Sequence, residues 1–382
     1  MGSAVTKLYL KCLSSVLVGG GKLLPVFHKE FDNISSVCDL HYKVPFSSAN
    51  KFEVYYPSNC VGQKLPILFY IHGGGWATLD LSLYKTLCRR FAKKGFFVVN
   101  LNYPLSTTGA RIEEMVAHIE ECVAYVLQNT KEIIAGLEID ANSIFLAGDS
   151  AGAHLASVLA LRATNGAYAS RLDNFLLSQF LGLDTSKIFL TEDKDEVHFI
   201  EANEGCGKVQ FANPCERQKG AISSKNTAVE QTEREILSYK KKIRPLLSES
   251  ILKNKIKALF LFYGVYDLLT VRETRYPKIN LYIDLIFGKK QKENKDKMFA
   301  FSPQNFVTKD FPPCFLASGE IDRLHSSQSK LFAEKLQELG IKNKALFFEK
   351  SEKQAQHGFM TFDWVETNEQ THREIDEFLK NL

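Results

Sequence analysis

A serine set between two glycines, Gly148-Asp149-Ser150-Ala151-Gly152, follows the apolar run Ser143-Ile144-Phe145-Leu146-Ala147 and precedes His154–Leu161, which is rich in helix formers. The run is short and turn-bounded, as a buried central strand is. A strand that turns at once into a helix strains its corner residue, and side chains two positions either side would clash, so G-x-S-x-G suits such a corner. The Ser150 hydroxyl would then stand at the top of a sheet above a helix N-terminus, where negative charge is favoured. A hydroxyl is a weak nucleophile until an imidazole takes its proton, and the imidazole needs a carboxylate to fix its tautomer and stabilise its transient charge. Two further residues meet those needs. Asp322 follows the apolar run Pro313–Gly319, and His357 lies in the polar loop after Ala345–Phe348. An oxyanion formed on a carbonyl also needs preorganised donors. The N–H of Ala151 and those of the glycines in His72-Gly73-Gly74-Gly75-Trp76, which follow the apolar run Leu65–Ile71, are available for that task. The chemistry these residues could do is acyl transfer.

Each role has a rival. Asp267 also follows an apolar run, Ala258–Tyr263, but Asp322 is preferred as the acid. His325 is three residues from Asp322 and opens a helical stretch, and His154 sits on the helix after Ser150 as a packed or hydrogen-bonded residue; His357 is preferred as the base. Trp76, Phe359 and Trp364 could line an acyl pocket, although aromatic residues so close to a core also serve as plain packing.

The elements that must position these residues alternate along the chain. Residues 1–36 read as a helical segment with Leu8, Leu10, Leu13, Val16 and Leu17 on one side. Asp39–Phe46 and Phe52–Tyr56 read as half-buried strands. Buried strands follow at Leu65–Ile71 and Phe96–Leu101, with helices at Ser82–Lys94 and Ile112–Asn129, the second carrying an amphipathic face. Strands alternating with helices argue for a parallel sheet covered on both faces. The alternation fails over 164–256, far more chain than the roughly 30 residues a crossover needs. A surplus of that length reads as a cap over the site or a disordered loop. It returns with strands at Ala258–Tyr263, Pro313–Gly319 and Ala345–Phe348 and helices at Ser326–Leu339 and Asn368–Leu382. The expected organisation is therefore a core of 37–163 and 257–382, an N-terminal segment 1–36 and an insertion 164–256.

The 382 residues carry a net charge of +4, with 45% hydrophobic and 24% charged residues, so nucleic acid is excluded as a partner class. The eight cysteines contain no C-x-x-C pair and several lie in apolar runs, which points to a reducing, cytoplasmic setting. The stretch Leu8–Leu24 is too interrupted for a membrane span and lacks a signal-peptide core. Met1-Gly2 with Thr6 fits a myristoylation pattern, read here as coincidence.

Taken in order, His72-Gly73-Gly74-Gly75-Trp76, Gly148-Asp149-Ser150-Ala151-Gly152, the Asp322 segment and His357-Gly358-Phe359 resemble the α/β-hydrolase-fold carboxylesterases of the hormone-sensitive-lipase-like group. The resemblance covers roughly 39–163 and 257–382. It implies an α/β-hydrolase fold: a mostly parallel eight-stranded sheet with helices on both faces. The expected reaction is cleavage of a small to medium ester through an acyl-enzyme on Ser150 without metal or cofactor, and a homodimer is a possible assembly. The resemblance points to Gly74 and Gly75 as the loop donors beside Ala151, with His72 bracing the loop rather than binding a metal. Asn102-Tyr103-Pro104-Leu105-Ser106 departs from the Tyr-Arg pair and acidic turn common in that group, and the 164–256 insertion is unusual for it. The His-Gly-Gly-Gly-Trp and Ser-Ala-Gly-Ala-His-Leu runs also resemble arylformamidase-type hydrolases, so an amide or formamide stands as the alternative substrate. A hydrolase-fold binding module without activity is disfavoured because no member of the Ser, Asp, His set is missing.

Overall fold

The buried apolar runs of the sequence become neighbouring strands of one sheet. The structure, a computed structural model, describes residues 18–19, 29–43, 47–60, 62–181, 188–190, 197–199, 250–287 and 294–382. Eight strands, β1 (Ile34–His41), β2 (Lys51–Pro57), β3 (Lys64–Ile71), β4 (Phe97–Leu101), β5 (Glu138–Asp149), β8 (Ile256–Phe262), β9 (Cys314–Gly319) and β10 (Asn343–Phe348), join in the order β1-β2-β4-β3-β5-β8-β9-β10. β2 pairs antiparallel with both β1 and β4, and every other pairing is parallel. The expected mostly parallel eight-stranded sheet is thus present.

Helices cover both faces because adjacent strand residues point to opposite sides. On one face Leu68, Tyr70, Phe260 and Phe315 pack with Leu87 and Phe91 of α1 (Lys85–Ala92) and Ile375 and Phe378 of α7 (Glu366–Lys380). On the other, α2 (Ile112–Gln128) and α3 (Ala151–Thr164) bury Val116, Ile119 and Val123 and nearly all of α3. Arg162 and Glu120 form a buried ion pair at 3.1 Å between these two helices. From β3 the chain crosses to β4 on one side and then back to β5 on the other. The gap between the carboxyl ends of β3 and β5 is therefore the place where such sheets hold their sites.

Two sequence expectations are corrected and one helix is added. The first strand begins at Ile34, not Asp39, so the last residues of the presumed helical segment 1–36 are strand. Its pattern is disguised because the register shifts between Val37 and Leu40, with Asp39 at φ 59°, which breaks the alternation. The helix α5 (Ile279–Phe287) was not anticipated. It is nine residues of nearly continuous apolar chain, a run that length alone does not separate from a strand. The helix expected from Ser326 is two pieces, a π-helical turn His325–Ser329 leading into α6 (Lys330–Glu338).

The chain divides into two compact units, 1–165 with 249–382, and 166–248. Of the second unit, the structure describes α4 (Gly166–Leu181) and a hairpin of β6 (Ile188–Leu190) with β7 (Val197–Phe199). The remainder of the 164–256 expectation up to residue 249 lies outside the described residues, as do most of 1–28, the Gly2 pattern included. Among the described residues no helix is long and apolar enough to cross a membrane.

Candidate active site

Ser150 sits between β5 and α3 with φ 51° and ψ −117°, a conformation that non-glycine residues rarely hold. The glycines around it make that turn possible. A Cβ on Gly148 would lie 2.5 Å from the carbonyl carbon of Gly152, and one on Gly152 would lie 2.0 Å from the carbonyl oxygen of Ile71. The turn is tied to the sheet by the Ser150 N–H, which donates to Phe262 O at 2.9 Å.

His357 Nε2 lies 2.9 Å from Ser150 Oγ, and His357 Nδ1 lies 2.7 Å from Asp322 Oδ2. A carboxylate accepts only, so Nδ1 carries the proton and Nε2 is left to accept from the serine hydroxyl. Asp322 is itself fixed: its Oδ1 accepts the Leu324 N–H at 3.0 Å. Two tyrosine rings, Tyr263 and Tyr276, lie 4.8 and 4.7 Å from the His357 ring.

The rivals are engaged elsewhere. Asp267 caps its own loop, accepting from Leu269 N–H and the Thr270 hydroxyl, both at 2.9 Å. His325 Nδ1 is 2.7 Å from Ser318 Oγ. His154 lies between Trp76 Nε1 at 3.3 Å and Phe301 O at 2.7 Å. An indole N–H can only donate, so His154 Nδ1 accepts and Nε2–H donates to the carbonyl. That arrangement requires a neutral ring, and burial does push its pKa down to about 4.

The loop after β3 is held from several sides. His72 stacks on Tyr103 with centroids 4.4 Å apart, and its Nδ1 is 2.7 Å from Gly73 O. Burial pushes its pKa down to about 4. The Tyr103 hydroxyl donates to His72 O at 2.9 Å, and Ser106 N–H to Trp76 O at 2.8 Å. The segment 102–106 that departs from the resembled group thus supports the loop. Among the described residues the N–H groups of Gly74 and Gly75 have no acceptor. The N–H of Ala151 opens α3, where no preceding turn offers one. Gly73 differs: its N–H is committed to Asp149 Oδ1 at 2.9 Å and Tyr84 Oη at 3.2 Å, so it is not available to a ligand.

A pocket of about 210 Å³ opens onto Ser150 and His357, walled by Leu79, Val265, Tyr276, Ile279, Tyr282 and Leu324. Trp76 is also in the lining. Phe359 is not: it is buried against Tyr263 and Phe348 in the core. Trp364 is 62% exposed, beside Phe362, and is not part of the lining. The residues that sequence reasoning missed are chiefly Tyr276, Ile279 and Tyr282, around and on the unanticipated α5. The helical spacing of Ile279, Ile283 and Ile286 was the signal that could have found it. Among the described residues no group of acidic, histidine or cysteine side chains could hold a metal, and the described cysteines 38, 60, 88, 122 and 314 are free.

Comparison with known proteins adds the following. Residues 52–336 match the BD-FAE protein family. A kynurenine formamidase of Danio rerio is 31% identical over 126 residues, 32% of this chain and 40% of that protein. Esterase LipI of Mycobacterium tuberculosis is 33% identical over 115 residues, 29% of this chain and 33% of that one. The chain thus spans 40% or less of the length of these curated relatives. Inhibited esterase B of Lactobacillus rhamnosis shares the fold, with a TM-score of 0.64 at 16% identity over 98% of this chain and 96% of that one.

Proposed function

Because the chain belongs to the BD-FAE family, we propose that it is a serine hydrolase that cleaves carboxylic esters of small to medium acyl chain through an acyl-enzyme on Ser150. The observation that carries the reading is the unbroken chain Ser150 Oγ, His357 Nε2, His357 Nδ1, Asp322 Oδ2 at 2.9 and 2.7 Å, facing a pocket. Ser150 Oγ attacks the carbonyl carbon as its proton passes to His357 Nε2. Asp322 stabilises the imidazolium without taking its proton. The carbonyl oxygen becomes an oxyanion that accepts from the N–H of Ala151 and from Gly74 and Gly75. Collapse expels the alkoxide, which takes the proton from His357 Nε2–H. Water then enters, gives a proton to Nε2 and releases the acid by the same steps in reverse.

The lining suits a neutral, modest acyl group. Its walls are apolar and aromatic, and about 210 Å³ is below the 300–1,000 Å³ usual for a drug-sized ligand. The formamidase relative favours a second reading, a formamide substrate attacked by the same groups. In that case His357 delivers its proton to an amine rather than an alkoxide.

A fluorophosphonate probe should label Ser150, and turnover of p-nitrophenyl acetate should vanish in Ser150→Ala. Equal labelling of the two proteins would sink the reading. A panel of p-nitrophenyl esters, acyl anilides and N-formylkynurenine separates ester from formamide; preference for esters throughout removes the second reading.

A further inference from the structure

Asp149 takes no part in the proton relay, yet it is buried between the nucleophile and the donor loop. Its Oδ1 accepts the Gly73 N–H at 2.9 Å and the Tyr70 hydroxyl at 3.1 Å, and its Oδ2 accepts the Tyr84 hydroxyl at 3.2 Å. These three donors bracket one segment of chain. Tyr70 is the penultimate residue of β3, Gly73 opens the donor loop, and Tyr84 closes the 3-10 turn Leu81–Tyr84 beyond it. The approach leaves no slack: a Cβ on Gly73 would lie 2.5 Å from Asp149 Oδ2. The Gly73 N–H also reaches Tyr84 Oη at 3.2 Å, which closes the cluster on itself.

A carboxylate accepts on both oxygens and donates nothing, so it can gather three donors at once. Burying its charge is costly, and an apolar side chain would fill the same space without that cost. We propose that Asp149 is a positioning residue for the oxyanion donors: at the end of β5, next to Ser150, it holds the first residue of the Gly73–Gly75 loop together with Tyr70 before the loop and Tyr84 beyond it, so that the amides of Gly74, Gly75 and Ala151 converge on one point. The inference rests on the serine-hydrolase reading. Such donors act only when aimed at where charge develops, and displacements near 1 Å cost on the order of 10²-fold.

Asp149→Asn keeps the size and one acceptor oxygen but turns an amide toward Tyr84. Tyr84→Phe leaves the carboxylate and removes one donor. Both are made in the full chain and assayed with p-nitrophenyl acetate, a trifluoromethyl ketone as transition-state mimic, and thermal unfolding, beside Ser150→Ala. The expected result is a fall in kcat of ~10–100-fold for Asp149→Asn, up to the ~10²-fold of a donor displaced by about 1 Å, and a smaller fall of ~3–10-fold for Tyr84→Phe, which leaves the carboxylate and its other two donors in place. KM should hold within about twofold, ketone affinity should fall in step with kcat/KM, and the melting temperature of Asp149→Asn should not drop. Full kcat in both variants, a loss confined to KM, or a loss tracking the melting temperature overturns the proposal. If Ser150→Ala keeps wild-type turnover, the hydrolase reading fails as well; an inactive Ser150→Ala beside a fully active Asp149→Asn refutes the positioning role alone.

Discussion

If Asp149 is kept for positioning, its charge should make the fold less stable, and the size of that effect follows from its surroundings. Burial pushes its carboxyl up to about 6 from the ordinary 3.8, against the opposing pull of the Tyr70 bond, His357, the Gly73 amide and Tyr84. The folded protein therefore holds this proton more tightly than the unfolded chain. The stability tied to it is complete below about pH 4, falls as pH rises toward about 6, and stays lost above that. A difference of about two units at 1.36 kcal/mol each is about 3 kcal/mol. Asparagine does not titrate and stands in for the protonated acid. The stability of Asp149→Asn minus that of the parent should thus rise by about 3 kcal/mol between pH 4 and pH 7. Urea titrations of both proteins at intervals of one pH unit measure it. Taking the difference cancels the titrating groups that do not interact with Asp149, provided the m-values match. A flat difference would mean that burial does not dominate this carboxyl. A difference of opposite slope would mean that the three donors overcompensate burial, and the tension between stability and turnover argued for Asp149 would go with it. The expected pattern, a steadier but slower protein, is the usual mark of a residue retained for function.

Other outcomes follow from the same geometry. Asp322→Asn should lower kcat by about 10⁴ with little change in KM, because the amide favours the wrong tautomer of His357; a loss under tenfold would remove Asp322 from the relay. The buried rings of His72 and His154, pushed down to about 4, are neutral in the fold and should be fully stabilising above pH 6.5. That stability is lost as pH falls from 6.5 toward 4, so an Asp149→Asn protein should lose stability to acid over that window, and a flat urea midpoint there would contradict it. His154→Phe orphans the Trp76 N–H and the Phe301 carbonyl, which should cost about 1–3 kcal/mol apiece in urea unfolding, and it should also slow turnover because Trp76 follows the donor glycines. Val265→Trp should fill the pocket and depress turnover of p-nitrophenyl butyrate more than of the acetate; equal effects would show that the acyl group sits elsewhere.

The parts of this molecule that could be read from the chain are those whose physics is local. A buried parallel strand leaves a contiguous apolar run, and a strained corner needs glycines at fixed offsets. The runs at Leu65–Ile71 and Ser143–Ala147 and the motif around Ser150 therefore predict where the sheet ends at Ser150 and at the Gly73–Gly75 loop. The proposed set Ser150, Asp322, His357 can be picked out in the chain because each follows such a run. What stayed hidden depends on residues far apart in sequence. Nothing near Asp149 announces that Tyr70, 79 residues away, and Tyr84, 65 residues away, will donate to it; in the sequence Tyr70 is simply part of the run Leu65–Ile71 and Tyr84 part of the stretch Ser82–Lys94. The same holds for Gly73. From the residues alone three successive glycines look alike as donors; the resemblance favours Gly74 and Gly75, and the structure supplies a physical reason, one amide turned back to Asp149 and two left free of any described acceptor. A motif thus states which backbone groups could reach a ligand, whereas the buried polar contacts beneath it decide which of them do. For this site the proposed decision falls on the carboxylate adjoining Ser150, which makes Asp149 the residue at which the motif and the fold are tested together.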